Sequence, residues 1–133
     1  MKRNRVYTYG VYDLLHYGHI RMLKQAKALG KFLIVGIYTD KVAESFKRKP
    51  IMTQRERFKN IDELGLADLI VYQNTFSPQK NADKHKADIV AKGQGAGWER
   101  GKPIELSCKT KFLKYTRGIS TSGLIKRVYD NKQ

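Results

Sequence analysis

One cysteine, Cys108, occurs in the whole chain, so no internal disulfide can form and the fold must hold by packing alone. Such usage fits a reducing cytoplasm, and Cys108 reads as a plain packed thiol. Histidine is scarce too: only His16, His19 and His85 are present. Zinc usually takes three or four ligands, and beyond the first two histidines only His85, Cys108 and scattered carboxylates remain. No metal site is expected from the protein's own side chains. No apolar run approaches the ~20 residues of a membrane helix. Basic Met1-Lys2-Arg3 leads into a strand pattern rather than the apolar core of a signal peptide, so a cytoplasmic protein with no membrane partner is expected. Internal repeats and linkers are missing as well.

Acidic residues are few, 12 Asp and Glu against 27 Lys and Arg, for a formal net charge of +15. A surface of this sign draws anions and could bind nucleic acid without specificity. The cations, however, are spread from Lys2 to Lys132 with no long basic tail, and arginine-rich, aromatic-interleaved RNA-binding patterns are missing. The charge reads as solvated surface that also steers small anions, and no specific nucleic acid is expected. A basic nucleic-acid-binding module stays as one alternative. With 133 residues and 41% hydrophobic content the chain reads as a single globular domain, 1–133, long enough for a core.

What is present concentrates near the amino end. Val6, Tyr7 and Tyr9 read as a short buried strand, and Gly10 is the break at which the chain turns. From Ile20 to Leu29 apolar residues recur at helical spacing. The order is strand, glycine turn, two histidines, helix. It puts His16 and His19 at or just before a helix amino end, where free N–H groups and the helix dipole favour an anion. Two imidazoles three residues apart there are placed to grip a phosphate as its charge grows. A cap or a packed ring is the competing reading for either one alone. Asp13, inside the same turn, could orient an imidazole or support a magnesium-bound anion.

Further along, Lys31–Tyr38 is a continuous apolar run typical of a parallel strand buried on both faces. Lys41–Phe46 reads as a short helical turn, and Lys47–Met52 as a basic connection broken by Pro50. Thr53 and Glu56 fit a capping box for a helix that stops at Gly65. Ala67–Tyr72 is a third strand, Ser77-Pro78 starts a helix with Pro in its first position, and Asp88–Ala91 is a fourth strand. Lys92–Pro103 is expected as a glycine-rich loop, Lys111–Tyr115 as a fifth strand, and Ser120 as the cap of a last helix. Gly93-Gln94-Gly95-Ala96-Gly97 is not the G-x-G-x-x-G fingerprint, and Gly101 and Pro103 oppose the helix which that fingerprint requires. Strands alternating with helices predict an α/β fold: a single Rossmann-like, doubly wound parallel sheet of about five strands with flanking helices. Ligands in such sheets sit beyond the carboxyl ends of the strands, at the switch point.

Gly10-Val11-Tyr12-Asp13 followed by His16-Tyr17-Gly18-His19 resembles the signature of the cytidylyltransferase family, within the HxGH nucleotidyltransferases. In length it matches the small glycerol-3-phosphate type. Phe46-Lys47-Arg48-Lys49-Pro50-Ile51-Met52 is similar to that family's F-K-x-x-P-V-M segment, which gives Lys47 a phosphate contact. Glu56-Arg57 is similar to the E-R pair that faces Arg57 to the nucleotide. Thr116-Arg117-Gly118-Ile119-Ser120-Thr121-Ser122 resembles R-T-E-G-I-S-T-S, with Tyr115 where the first arginine stands and Arg117 where glutamate is usual. Arg117 is expected to supply the missing cation. Gly93 and Trp98-Glu99 match a G-D-D-W-like segment on the base side, but the acidic pair is replaced.

The resemblance implies a transferase joining CTP to a small phosphorylated alcohol, with glycerol 3-phosphate favoured, to give a CDP-alcohol and pyrophosphate. It assigns catalysis to His16, His19 and Lys47. Nucleotide binding falls to Gly10, Val11, Tyr12, Asp13, Gly18, Arg57, Gly93 and the 116–122 string, and Lys80 is added as an acceptor contact. Mg2+ is expected with the triphosphate, and a homodimer is implied. Phosphocholine, phosphoethanolamine or ATP in place of these substrates are the alternatives inside the class.

Overall fold

A computed structural model describes residues 4–93 and 106–131. Five parallel strands form one sheet, β1 (Arg5–Gly10), β2 (Phe32–Tyr38), β3 (Leu69–Gln73), β4 (Ile89–Gly93) and β5 (Lys109–Leu113), in the order β3-β2-β1-β4-β5. The helices are α1 (Tyr17–Ala28), α2 (Asp40–Phe46), α3 (Gln54–Leu64), α4 (Gln79–Lys84) and α5 (Thr121–Asp130). The chain winds outward from β1 to β3, then returns across β1 to β4 and β5. The doubly wound sheet expected from the alternating pattern is therefore the observed fold, with its switch point between β1 and β4.

Strand alternation divides the core. Val6, Leu33, Val35, Ile37 and Ala91 pack with Leu23 and Ala26 of α1 and Ile61 of α3. Tyr7, Tyr9, Ile34, Tyr38 and Val90 pack on the other side with Ala43 of α2 and Ala82 of α4. Both faces of the central strands are covered, which is why β2 reads as an unbroken apolar run. No helix among the described residues is long and apolar enough to cross a membrane.

Several element ends depart from expectation for local reasons. Helix α1 begins at Tyr17, ahead of the apolar stripe, because His16 caps it. The Thr53–Glu56 capping box opens α3, and Gly65 closes it in the left-handed region at φ +69°. Pro78 precedes α4 rather than opening it, and the Ser77 hydroxyl accepts from the Gln79 amide. Strand β5 lies two residues earlier than expected. Its pairing with β4 draws Lys92 and Gly93 out of the anticipated loop and into the sheet, opposite Phe112 and Leu113. The Gly95, Trp98 and Glu99 readings lie outside the described residues.

Candidate active site

At the switch point a cavity of about 830 Å³ opens over the carboxyl ends of β1 and β4. Gly10, Val11, Tyr12, Asp13, His16, Gly18 and His19 line it from the amino-terminal motif. Thr116, Ile119, Ser120, Thr121 and Ser122 line it from the carboxyl-terminal one, with Lys47 and Gly93 from between. Two stretches about a hundred residues apart in the chain thus meet around one hollow. Its size suits a small-molecule ligand.

The histidines form their own capping box. His16 Nδ1 accepts from the Gly18 amide at 3.1 Å, and His19 Nδ1 accepts from the His16 amide at 3.2 Å. The rings stack with centroids 3.8 Å apart, tilted by 25°. A nitrogen that accepts cannot also carry the proton, so each neutral ring keeps its proton on Nε2. Burial lowers the pKa of both rings, and His16 and Lys47 add repulsion that helps bring His19 down to about 3. The pair is therefore neutral at pH 7 and offers two N–H donors. The capping reading holds: it fixes both rings and leaves Nε2 of each as the donor.

Backbone around the pair is shaped to fit. Tyr12 and Leu14 adopt φ of +55° and +49°, strained values for residues with side chains. The Tyr12 ring lies over Gly10, where an added Cβ would stand 3.2 Å from it, and meets the His19 ring edge-on at 5.7 Å. At Gly18 a Cβ would sit 2.9 Å from the His16 ring and 3.0 Å from Ile119. That glycine lets the two motifs touch. Thr121 completes the junction, its hydroxyl donating to the Asp13 carbonyl at 2.7 Å. Ser120 caps α5 by accepting from the Gly123 amide, so its own proton and the Ser122 hydroxyl remain as donors at this helix amino end.

Asp13 is otherwise engaged than expected. Its buried carboxylate accepts from the amides of Ile51 and Met52 and from Arg48, at 2.8, 2.9 and 3.1 Å. Burial would raise its pKa, but the two amides and the Arg48 guanidinium outweigh that and hold it below the usual range. Asp13 pins the Lys47–Met52 connection beside the cavity instead of aiming at an imidazole. Among the described residues no three acidic, histidine or cysteine side chains cluster as metal ligands.

Arg57 departs most from its expected place. It is fully buried outside the cavity lining, and its guanidinium donates to the carbonyls of Met52, Val11 and Tyr38 and to Asp40. These acceptors belong to the three segments that frame the hollow, so Arg57 holds the frame from behind. Lys80 is exposed on α4, and Arg117 and Gly118 are exposed at a turn in which Gly118 takes φ +85°. None of these three lines the cavity, and Tyr115 does. The residue that sequence reasoning missed is Lys92, buried in the cavity wall. Its only signal was position, directly after an apolar strand and before a glycine.

The family described as cytidylyltransferase-like matches residues 7–127. The chain belongs to the cytidylyltransferase-like family. It is 34% identical over 126 residues to the glycerol-3-phosphate cytidylyltransferase of Staphylococcus aureus, covering 94% of this chain and 95% of that one. Mouse ethanolamine-phosphate cytidylyltransferase is 32% identical over 130 residues, covering 93% of this chain but only 32% of that protein. This chain thus spans about a third of the mouse protein. Among solved structures, a lipopolysaccharide core biosynthesis protein from Thermoplasma volcanium aligns with TM-score 0.69 and 27% identity, over 84% of this chain and 95% of that one. For a member of this nucleotidyltransferase family, the hollow shared by both motifs is the candidate active site.

Proposed function

We propose that this cytidylyltransferase-like protein joins CTP to a small phosphorylated alcohol, with glycerol 3-phosphate as acceptor. The observation that carries the reading is the stacked, neutral His16–His19 pair facing the same cavity as the amino end of α5. An oxygen of the acceptor phosphate attacks the α-phosphorus of CTP in line. A new P–O bond forms, the bond from the α-phosphorus to the bridging oxygen breaks, and its electron pair leaves with pyrophosphate. No described side chain is placed as a covalent nucleophile, so positioning and charge stabilisation supply the acceleration.

In this reading the two Nε2–H groups donate to oxygens of the α-phosphate as charge builds there. The first amides of α5, with Ser120 and Ser122, hold the leaving pyrophosphate. Lys47 bridges acceptor phosphate and triphosphate from the connection that Asp13 pins. Magnesium enters as part of the MgCTP substrate: the Asp13 oxygens are already engaged, and the described side chains offer no cage of their own. Glycerol 3-phosphate is favoured by the near full-length match to the staphylococcal enzyme. A cytoplasmic homodimer completes the proposal, and light scattering on the purified protein tests the dimer.

The test is pyrophosphate release with each of the four nucleoside triphosphates across a panel of phospho-alcohols. Turnover with CTP and glycerol 3-phosphate above all other pairs is expected. Preference for ATP, or salt-sensitive nucleic-acid binding with no turnover, would overturn it.

A further inference from the structure

Lys92 stands at the inner end of β4, a buried lysine to which the chemistry above gives no role. Strand alternation puts its side chain on the same face as Val90, towards α2 and α4. There Nζ lies 3.9 Å from the centre of the Tyr9 ring and 6.0 Å from that of Tyr38. Tyr38 packs in turn edge-on against Tyr9 and Phe46, so the corner is walled by rings. Lys92 is only 4% exposed, yet it lines the cavity together with Lys47. Among the described residues no carboxylate lies within ion-pair distance of it. Burial, with repulsion from Lys47, brings its ammonium down to about 7. Ring faces hold this cation where a counter-ion would be usual.

An aromatic corner is what the ammonium of choline or ethanolamine would require. Here the place over Tyr9 already holds an ammonium of the protein's own. Below about pH 7, where Lys92 is charged, a second cation brought into the same corner would meet a like charge at short range, poorly screened by water. A hydroxyl or carboxylate oxygen would instead accept a hydrogen bond from Nζ.

We propose that Lys92 selects the acceptor, donating to an oxygen at the end remote from the attacking phosphate and excluding acceptors that end in an ammonium. The inference rests on the nucleotidyl-transfer reading above and narrows its substrate class. Favoured are glycerol-like or carboxylate-bearing phosphomonoesters, over phosphoethanolamine and phosphocholine. Lys92 is a specificity residue and takes no part in bond making.

The experiment measures kcat/KM with saturating nucleotide for glycerol 3-phosphate, 3-phosphoglycerate, phosphoethanolamine and phosphocholine, in the wild type, Lys92→Met and Lys92→Arg. The wild type is expected to favour the better of the two oxygen-ended acceptors over phosphocholine by roughly 100-fold or more, the scale set by a buried donor that must be paired. Which of the two is better separates a hydroxyl partner from a carboxylate one. In Lys92→Met that preference should shrink at least about tenfold, through acceptor KM, while the KM for nucleotide moves less than about twofold; Lys92→Arg keeps the preference. A residue that merely supports the fold would shift both KM values or neither. Equal or better use of phosphocholine or phosphoethanolamine by the wild type, or unchanged ratios in Lys92→Met, overturns the assignment. If Lys92→Met does not fold, the wild-type ratios decide. Should another triphosphate replace CTP, the CTP reading falls while the acceptor ratios still judge Lys92. No turnover with any nucleotide overturns both.

Discussion

Arg57 and Lys92 are both buried cations within the frame of one cavity, and their surroundings differ in kind. Arg57 is ringed by acceptors, three carbonyls and the Asp40 carboxylate, which leave it no reason to reach for a ligand. Lys92 faces aromatic rings, lies open to the hollow, and is pulled towards neutrality by burial. A buried charge saturated by protein acceptors belongs to the scaffold; one that faces both aromatic rings and a cavity is placed to meet a ligand.

The contrast can be broken or sharpened by substitution. The largest effect should come from the working groups: His16→Ala or His19→Ala should lower kcat about 10²–10⁴-fold, the scale of losing a transition-state donor, with the circular dichroism spectrum kept. Loss of activity that simply tracks unfolding would remove their role. On the scaffold side, Arg57→Ala should cost about 3–5 kcal/mol in urea unfolding, since it strands Asp40 and several carbonyls behind the site. If Arg57→Ala kept its stability and instead lost affinity for triphosphate, the contrast would be reversed.

Asp13→Asn should cost about 2 kcal/mol, because the Ile51 and Met52 amides and Arg48 lose a charged acceptor. Its KM for both substrates should rise as the Lys47 connection loosens, and steady-state kinetics would reveal it. Smaller still is a pH effect. His19 titrates near 3 in the folded chain against an ordinary 6.5, so between those values the unfolded chain binds more protons. Its contribution to stability is complete above about pH 6.5 and lost as pH falls towards 3. His19→Gln should flatten that part of the stability–pH curve, and an unchanged slope would show that the ring is not buried as described. Thr121→Val, which removes one hydroxyl bond between the motifs, should cost only about 1 kcal/mol.

How much of this was legible in the chain depends on range. The histidine pair, the Thr53–Glu56 box and the Ser120 cap are contacts between residues three apart, and the pattern of types at that spacing displays them directly. The doubly wound parallel sheet follows from alternating strands and helices. Arg57 and Lys92 could not be placed this way. The acceptors of Arg57 come from positions 11, 38, 40 and 52, so a motif that names the arginine does not say which way it faces. Lys92 looked like the first residue of a glycine-rich loop, and only its pairing with β5, opposite Phe112, puts it in a strand and so fixes its face. Asp13 was rightly placed in the turn, but its donors lie almost forty residues on, in a connection whose path no local pattern reveals.

The most direct measurement is a crystal structure with a non-hydrolysable CTP analogue and magnesium. The account predicts the triphosphate in the switch-point hollow, α-phosphate oxygens within hydrogen-bond distance of Nε2 of His16 and His19, and terminal phosphates on the first amides of α5. A triphosphate bound away from either the imidazole pair or that helix end would contradict it.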